Sequence, residues 1–249
     1  MVNLFNGIGS YLILMSQVLR KPEKKSLFFR QVLLEMMDLG VSSLGIVLFI
    51  SIFMGIVITI QTFDNFASAS IPVPNYFATS AAKTIMILEF SPTIISIILA
   101  GKAGSYIASS IGTMRVTEQI DALEVMGINT PSFLILPKIV ANMIFNPILV
   151  MLSFMISIVG IMLSTNFIEF LTWDDVVSGL QNPFRDLYYG YAIIKAIVFG
   201  FVIATIPAYY GFNVDGGSLE VGRASTVAVV STSIAIIILN LVLTQMILG

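Results

Sequence analysis

The sequence predicts an all-α integral membrane protein. We expect five transmembrane helices, an N-terminal helix in the membrane interface, and one short cytoplasmic helix between the second and third transmembrane helices. Hydrophobic residues make up 57% of the 249 residues, charged residues only 10%, and the mean hydropathy is +0.98. Soluble domains carry about 25% charged residues. In addition, five long stretches contain at most one charge each, and a transmembrane helix needs roughly 20 apolar residues.

Residues 1–30 are predicted to form an interfacial helix and a basic segment. Apolar side chains recur at helical spacing in the first part, and the basic residues follow it: Arg20, Lys21, Lys24, Lys25 and Arg30. A signal peptide has its charges before the apolar part, so the order here disfavours one. The pattern favours a helix in the interface with its basic end near anionic headgroups. A short sixth transmembrane helix is the alternative.

The transmembrane helices are predicted from the charges that bound them. Their expected ranges are 39–63, 84–107, 138–165, 187–212 and 223–248. The third lies in a stretch of 30 uncharged residues between Lys138 and Glu169, so it is long enough to tilt. The whole chain, residues 1–249, is interpreted as a single membrane domain.

The distribution of Lys and Arg predicts the orientation. Nine of them precede the first helix or lie in the connections after the second and fourth helices, whereas only Lys83 and Arg185 flank the opposite side. Basic residues concentrate on the cytoplasmic side of membrane proteins. We therefore expect a cytoplasmic N-terminus and a C-terminus on the outer side.

The connection after the second transmembrane helix is predicted to contain a short amphipathic helix within residues 112–127. Thr117 is a candidate N-cap, and Glu118 and Asp121 follow in the first turn, where acidic side chains favour the helix dipole. Gly127 is expected to end the helix. An ordinary solvated connection fits the periodicity equally well.

Three stretches carry a family resemblance: Gly112–Gly127, the segment from Glu89-Phe-Ser-Pro to Ala-Gly-Lys-Ala-Gly104, and the segment from Tyr210 to Thr226. Together they resemble the MlaE family, the permease subunits of lipid-transporting ABC systems that act with MCE proteins. The similarity extends over most of the chain. Two departures are Ser91, where the family usually has Gly, and Lys102, where it has Arg.

The resemblance implies a homodimer in the inner (cytoplasmic) membrane, with a periplasmic C-terminus. It also implies that the chain moves phospholipids or related lipids with a separate ABC ATPase subunit, an MCE-domain protein on the outer side and, in many systems, a STAS-domain protein. Residues expected to couple to the ATPase are Arg115, Thr117, Glu118, Asp121 and Glu124. Because the chain lacks the Gly-x-x-x-x-Gly-Lys-[Ser/Thr] motif, we expect ATP and Mg²⁺ on the partner and no cofactor on this chain.

Glu89 and Lys195 are the charged residues in the interior of the apolar stretches that lie between Lys83 and Lys102 and between Asp186 and Asp215. At 1.5 Å per residue they lie at similar depths, roughly 9–13 Å from the outer ends of their helices. We expect them either to pair or to line a lipid cavity that opens outward; a carboxylate that snorkels to the interface is the alternative for Glu89. Ile56, Ile60 and Phe63 form a stripe expected to meet lipid tails, although such stripes often serve ordinary helix packing.

No catalytic or metal site is expected. The chain has no Cys and no His, which excludes disulfides, thiolate chemistry and the usual zinc sites, and a net charge of −2 argues against nucleic-acid binding. Two other functions fit the sequence less well. A self-sufficient secondary carrier of a hydrophobic solute is disfavoured because the halves show no repeat, and a membrane-embedded lipid enzyme is disfavoured because no Gly-x-Ser-x-Gly motif occurs.

Overall fold

The computed structural model describes residues 2–19, 25–68 and 74–248, and within these ranges all regular structure is helical. The α-helices are α1 (Val2–Val18), α2 (Lys25–Glu35), α3 (Leu44–Ala67), α4 (Tyr76–Ile85), α5 (Ile95–Leu99), α6 (Ser105–Val116), α7 (Gln119–Val125), α8 (Thr130–Leu163), α9 (Trp173–Gln181), α10 (Leu187–Phe212) and α11 (Ser218–Leu248). Three π-helical segments, Met36–Gly40, Met86–Ile94 and Ala100–Gly104, and two 3₁₀ segments, Val41–Ser43 and Ser164–Asn166, join some of them. The predicted basic residues Arg20, Lys21 and Lys24 lie outside the described residues.

Among the described residues, five continuous helical stretches are long and apolar enough to cross a membrane, which confirms the predicted all-α membrane class with five transmembrane helices. These spans 1 to 5 are Ser26–Ala67, Tyr76–Val116, Thr130–Asn166, Leu187–Phe212 and Ser218–Ile247. The first three contain 42, 41 and 37 residues, about twice what the hydrocarbon layer requires. Charged residues mark where lipid burial becomes costly, but they do not end a helix. The helices therefore continue past the predicted ends of the first three transmembrane segments.

The chain divides into two compact units. The first comprises residues 1–42, 96–146 and 197–249, and the second comprises residues 43–95 and 147–196. In the first unit, α1 packs through the buried side chains of Leu14, Met15 and Val18, and the Tyr11 hydroxyl donates a hydrogen bond of 2.8 Å to Thr205 Oγ1. One face of α1 is therefore attached to the protein, while its predicted place in the membrane interface stays a prediction.

Two glycines allow α3 and α8 to touch in the second unit. A Cβ atom at Gly55 would collide with the backbone oxygen of Ser157, and one at Gly160 would collide with that of Ile52. Small residues permit such backbone contact between membrane helices, where van der Waals packing drives association. The two glycines, Gly55 and Gly160, are 105 positions apart in the chain, so no local spacing motif could predict this contact.

An apolar core cluster lies in the second unit. Its buried members come from α3, α4, α8, α9, α10 and neighbouring segments: Ile58, Ala82, Met86, Ile87, Phe90, Phe154, Ile161, Ile168, Leu171, Val176 and Ala192. Met86, Ile87 and Phe90 belong to the π-helical segment that also carries Glu89. An acidic side chain thus projects from a segment in which three neighbouring residues are anchored in apolar packing.

Candidate functional site

The structure pairs Glu89 with Lys195 inside the second unit. Lys195 Nζ lies 2.9 Å from Glu89 Oε1, and it also donates to the carbonyl oxygen of Leu88 at 3.2 Å. The ammonium lies 4.3 Å from the centre of the Tyr191 ring. The Lys195 side chain is fully buried, whereas 44% of the Glu89 side chain is exposed. The accessible end of this ion pair is therefore the carboxylate, and the cation is enclosed by protein.

Local helix geometry assembles this pair. Tyr191 and Lys195 are four residues apart on α10, so both side chains point to the same side, and the Tyr191 hydroxyl donates to Glu89 Oε1 at 3.4 Å. Thr93, one turn after Glu89, donates to Oε2 at 3.4 Å. Pro92 has no N–H to give to a regular α-helix, and the segment around it is π-helical. Such wider turns occur frequently at functional sites.

Buried serines form a hydroxyl chain that the sequence analysis missed. Ser51 Oγ on α3 donates to Ser153 Oγ on α8 at 2.8 Å, and Ser153 Oγ donates to Ser91 Oγ at 3.3 Å; all three residues are fully buried. The only signal in the sequence was Ser91 itself, which departs from the glycine usual in the resembled family. These hydrogen bonds join α3 and α8 to the π-helical segment that carries Glu89.

The predicted lipid stripe lies on α3 with mixed exposure. Ile60 is exposed, Ile56 is half-buried, and Phe63 is half-buried against the core cluster. Phe63 therefore packs on the cluster that includes the neighbours of Glu89, whereas 37% of Ile60 is exposed. Contact of the three residues with lipid tails stays a prediction.

Lys83 has a role that its position near a predicted helix end did not reveal. Its side chain is buried, and Nζ donates to the carbonyl oxygens of Leu180 at 2.9 Å and Asn182 at 3.0 Å. Nζ also lies 4.8 Å from the centre of the Phe184 ring. These acceptors are at the C-terminal end of α9, where a cation favours the helix dipole. Lys83 therefore fastens α9 to α4.

Between α6 and α7, the prediction that Thr117 is an N-cap is wrong. Thr117 still belongs to the end of α6, because both its N–H and its hydroxyl donate to Thr113 O, at 3.0 and 2.7 Å. Glu118 immediately precedes α7 and has a φ of 58°, a left-handed conformation that is uncommon outside glycine. The turn is too tight for Thr117 to leave α6 and cap α7 as well.

The prediction that Gly127 ends the short helix is confirmed. Gly127 has a φ of 81°; its N–H donates to Glu124 O at 2.9 Å, and the N–H of Ile128 donates to Leu123 O at 3.2 Å. This pair of bonds is the Schellman arrangement, which closes a helix through a left-handed residue. The end of α7 therefore has a defined geometry.

The residues predicted to contact an ATPase lie on α7 and in the few residues before it. Arg115 and Asp121 form an ion pair of 2.6 Å, and Glu118 and Glu124 are exposed. Ile120 is fully buried and anchors α7 in the first unit. Asp121 and Glu124 are thus carried on an anchored helix and Glu118 directly precedes it, and their role in contacting an ATPase stays a prediction.

The five spans of the described residues, and an ion pair with a buried lysine and a half-exposed carboxylate, define a multi-pass membrane protein with a polar site among its membrane helices. The chain belongs to the Permease MlaE family, whose model matches residues 32–246. A probable ABC transporter permease protein of Rickettsia bellii is 31% identical, over 98% of this chain and 93% of that protein. A probable ABC transporter permease protein of Synechocystis sp. is 33% identical, over 85% of this chain and 79% of that protein.

A plant relative is also similar over most of this chain. The Arabidopsis thaliana protein named TRIGALACTOSYLDIACYLGLYCEROL 1, chloroplastic, is 30% identical, over 94% of this chain and 66% of that protein. This chain is therefore a member of a family of ABC transporter permeases, which are membrane subunits and not the catalytic subunits.

Proposed function

We propose that this chain is the membrane subunit of an ATP-driven transporter that moves phospholipids or related lipids between the inner (cytoplasmic) membrane and an MCE-domain protein on the outer side. The match to the Permease MlaE family over residues 32–246 carries this proposal. The name of the Arabidopsis relative contains that of a galactolipid, which supports a lipid as the transported molecule. The functional assembly is a homodimer of this chain, and a STAS-domain protein joins it in some systems.

ATP and Mg²⁺ bind to a separate ATPase subunit, because the chain has no phosphate-binding loop of its own. The ATPase contacts α7 and its flanks through Arg115, Thr117, Glu118, Asp121 and Glu124. Two observations support this role: α7 is closed by the bonds at Gly127, and Ile120 anchors it in the protein. A helix held in this way transmits force better than a solvated connection. The Lys and Arg distribution supports a cytoplasmic α7 and N-terminus and a periplasmic C-terminus.

The lipid passes Glu89 and Lys195, with its tails along Ile56, Ile60 and Phe63. The half-exposed Glu89 carboxylate supports this proposal, because a charged group at bilayer depth costs about 2.5–3.5 kcal/mol even on mild scales and is usually functional. Its lysine partner is enclosed, so a polar headgroup meets hydrogen-bond acceptors on Glu89. The exposed Ile60 offers apolar contact to a tail.

The test is transport by the purified complex. The chain is co-purified with its ATPase and MCE-domain partners, reconstituted in vesicles, and assayed for ATP-dependent transfer of a fluorescent phospholipid to the MCE-domain protein. We expect transfer by the wild type, a marked loss in Glu89→Gln and Lys195→Met, and no change in Arg223→Gln, whose exposed ion pair with Glu220 is the matched control. Wild-type transfer in both pair variants would remove them from the lipid path. Transport by the chain alone under an ion gradient would instead identify a secondary carrier.

A further inference from the structure

The first unit contains a further ion pair, formed by residues that the proposed lipid site does not include. Glu35, the last residue of α2, accepts from Lys138 on α8, with 2.5 Å between Oε1 and Nζ. Only 7% of the Lys138 side chain and 20% of the Glu35 side chain are exposed. Glu35 Oε2 is buried and has no hydrogen-bond partner among the residues that the structure describes, so Lys138 is the described group that holds this carboxylate.

The same two stretches of chain meet again further along. A Cβ atom at Gly40 would run into the Phe145 ring, five residues beyond Glu35 and seven beyond Lys138. The paired residues are 103 and 105 positions apart in the chain. Span 1 and α8 therefore run parallel here, and the ion pair fixes their register at the end nearer to α7.

Lys138 is also close in the chain to the segment proposed to receive the ATPase. α8 begins at Thr130, and Lys138 follows eight residues later, roughly 12 Å along the helix at 1.5 Å per residue. The short connection from α7 is held by the Schellman bonds at Gly127 and by Asn129, whose Nδ2 donates to Gln17 O at 3.2 Å. A displacement of α7 is thus passed to the start of α8.

We propose that the Glu35–Lys138 ion pair transmits movement of α7 to α2, and so couples ATP hydrolysis to lipid movement. This inference rests on the proposed function and makes both side chains positioning residues. Opposite charges in a poorly hydrated place resist separation, because each would be left buried without its partner. When α8 moves, α2 must follow. The π-helical segment Met36–Gly40 begins directly after Glu35, and such a departure from α-helical geometry gives the backbone a place to bend.

The experiment compares coupling in the reconstituted complex of this chain with its ATPase and MCE-domain partners. The variants are Glu35→Gln, Lys138→Met and the exchanged pair Glu35→Lys/Lys138→Glu. Glu220→Gln is the matched control, because it removes an ion pair whose side chains are 42% and 68% exposed. Three quantities are measured for each: assembly with the ATPase, the rate of ATP hydrolysis, and the number of lipids transferred for each ATP hydrolysed.

We expect the single variants to assemble and hydrolyse ATP, while lipids transferred per ATP fall about fivefold or more, the lower end of typical coupling between sites. The exchanged pair should recover most of that ratio, and Glu220→Gln should match the wild type. A purely structural pair would change the amount of assembled complex but not the ratio. The proposal is overturned if any assembled variant without the pair keeps the wild-type ratio, or if none without it assembles. A wild-type complex that hydrolyses ATP but transfers no lipid refutes the proposed function instead.

Discussion

The unequal exposure of Glu89 and Lys195 predicts unequal costs for removing each partner. Glu89→Gln leaves a fully buried ammonium facing a neutral amide. Lys195→Met leaves a carboxylate that is 44% exposed and still accepts from the Thr93 and Tyr191 hydroxyls. Methionine also fills the volume of the lysine stem with a flexible apolar chain. We therefore expect Glu89→Gln to destabilise the protein more than Lys195→Met, although both break the same ion pair.

The exposure of the two side chains sets the expected difference in unfolding free energy between the two variants. Removing one partner of a buried ion pair typically costs about 3–5 kcal/mol. Since Glu89 is partly exposed and Lys195 keeps its contacts with Leu88 O and the Tyr191 ring, we expect about 2–3 kcal/mol for Glu89→Gln. In Lys195→Met the residue left without its partner is the exposed one, Glu89. We therefore expect this variant to lose about 1 kcal/mol of unfolding free energy or less. The double variant removes the uncompensated ammonium and should recover most of the loss.

Thermal unfolding of the purified chain in detergent, followed by circular dichroism, measures these costs. For a chain of this size about 1 kcal/mol corresponds to roughly 2–4 °C in Tm, so Glu89→Gln should lower Tm by about 4–12 °C. Arg223→Met, which removes an exposed pair, is the control and should change Tm by at most a few degrees, since surface pairs contribute about 0–1 kcal/mol. A Lys195→Met variant as unstable as Glu89→Gln would refute the reasoning from burial.

Three further predictions concern helix packing and attachment. Gly160→Ala forces a methyl group into the α3 backbone and should cost about 1–3 kcal/mol by overpacking, whereas Gly45→Ala, which meets nothing within 4 Å, should be neutral or stabilising in the same unfolding assay. Lys83→Met removes two hydrogen bonds at the end of α9 and should speed amide exchange in α9 about tenfold or more; unchanged exchange would show that α9 is held otherwise. Burial raises the pKa of Tyr11 above its ordinary 10.0, although its hydrogen bond to Thr205 partly opposes the shift. The contribution of this hydrogen bond to the attachment of α1 should thus be intact below pH 10 and lost as the pH rises through the raised pKa of Tyr11. Limited proteolysis within α1 measures the attachment, and Tyr11→Phe should abolish its pH dependence.

Much of the fold could be predicted because membrane burial acts on individual residues. Each span is apolar enough to be recognised from its own composition, so the five predicted spans match the five found among the described residues. The end of α7 was equally predictable, since Gly127 adopts a φ of 81° that glycine tolerates far better than other residues. Similar depths for Glu89 and Lys195 followed from counting residues along two helices, but counting could not decide between pairing and separate positions.

The incorrect or missing assignments all depended on neighbours distant in the chain or on the exact path of a turn. Thr117 suited an N-cap by residue type, yet its N–H and hydroxyl are used by Thr113 O. Lys83 was interpreted as a flanking charge, although it lies against carbonyls about a hundred residues away. Lys138 likewise marked the expected start of a transmembrane helix and instead forms an enclosed pair with Glu35.

By itself, the sequence determined that this protein is helical and membrane-embedded, where the five spans of the described residues lie, and which residues carry the family motifs. These properties depend on the transfer of each residue into lipid and on local backbone geometry, which are readable one segment at a time. Only the tertiary structure decided that Lys195 is enclosed while Glu89 is half exposed, and that Glu35 holds Lys138. The energy of a buried charge depends on the distance and hydration of its partner, and helix packing sets both.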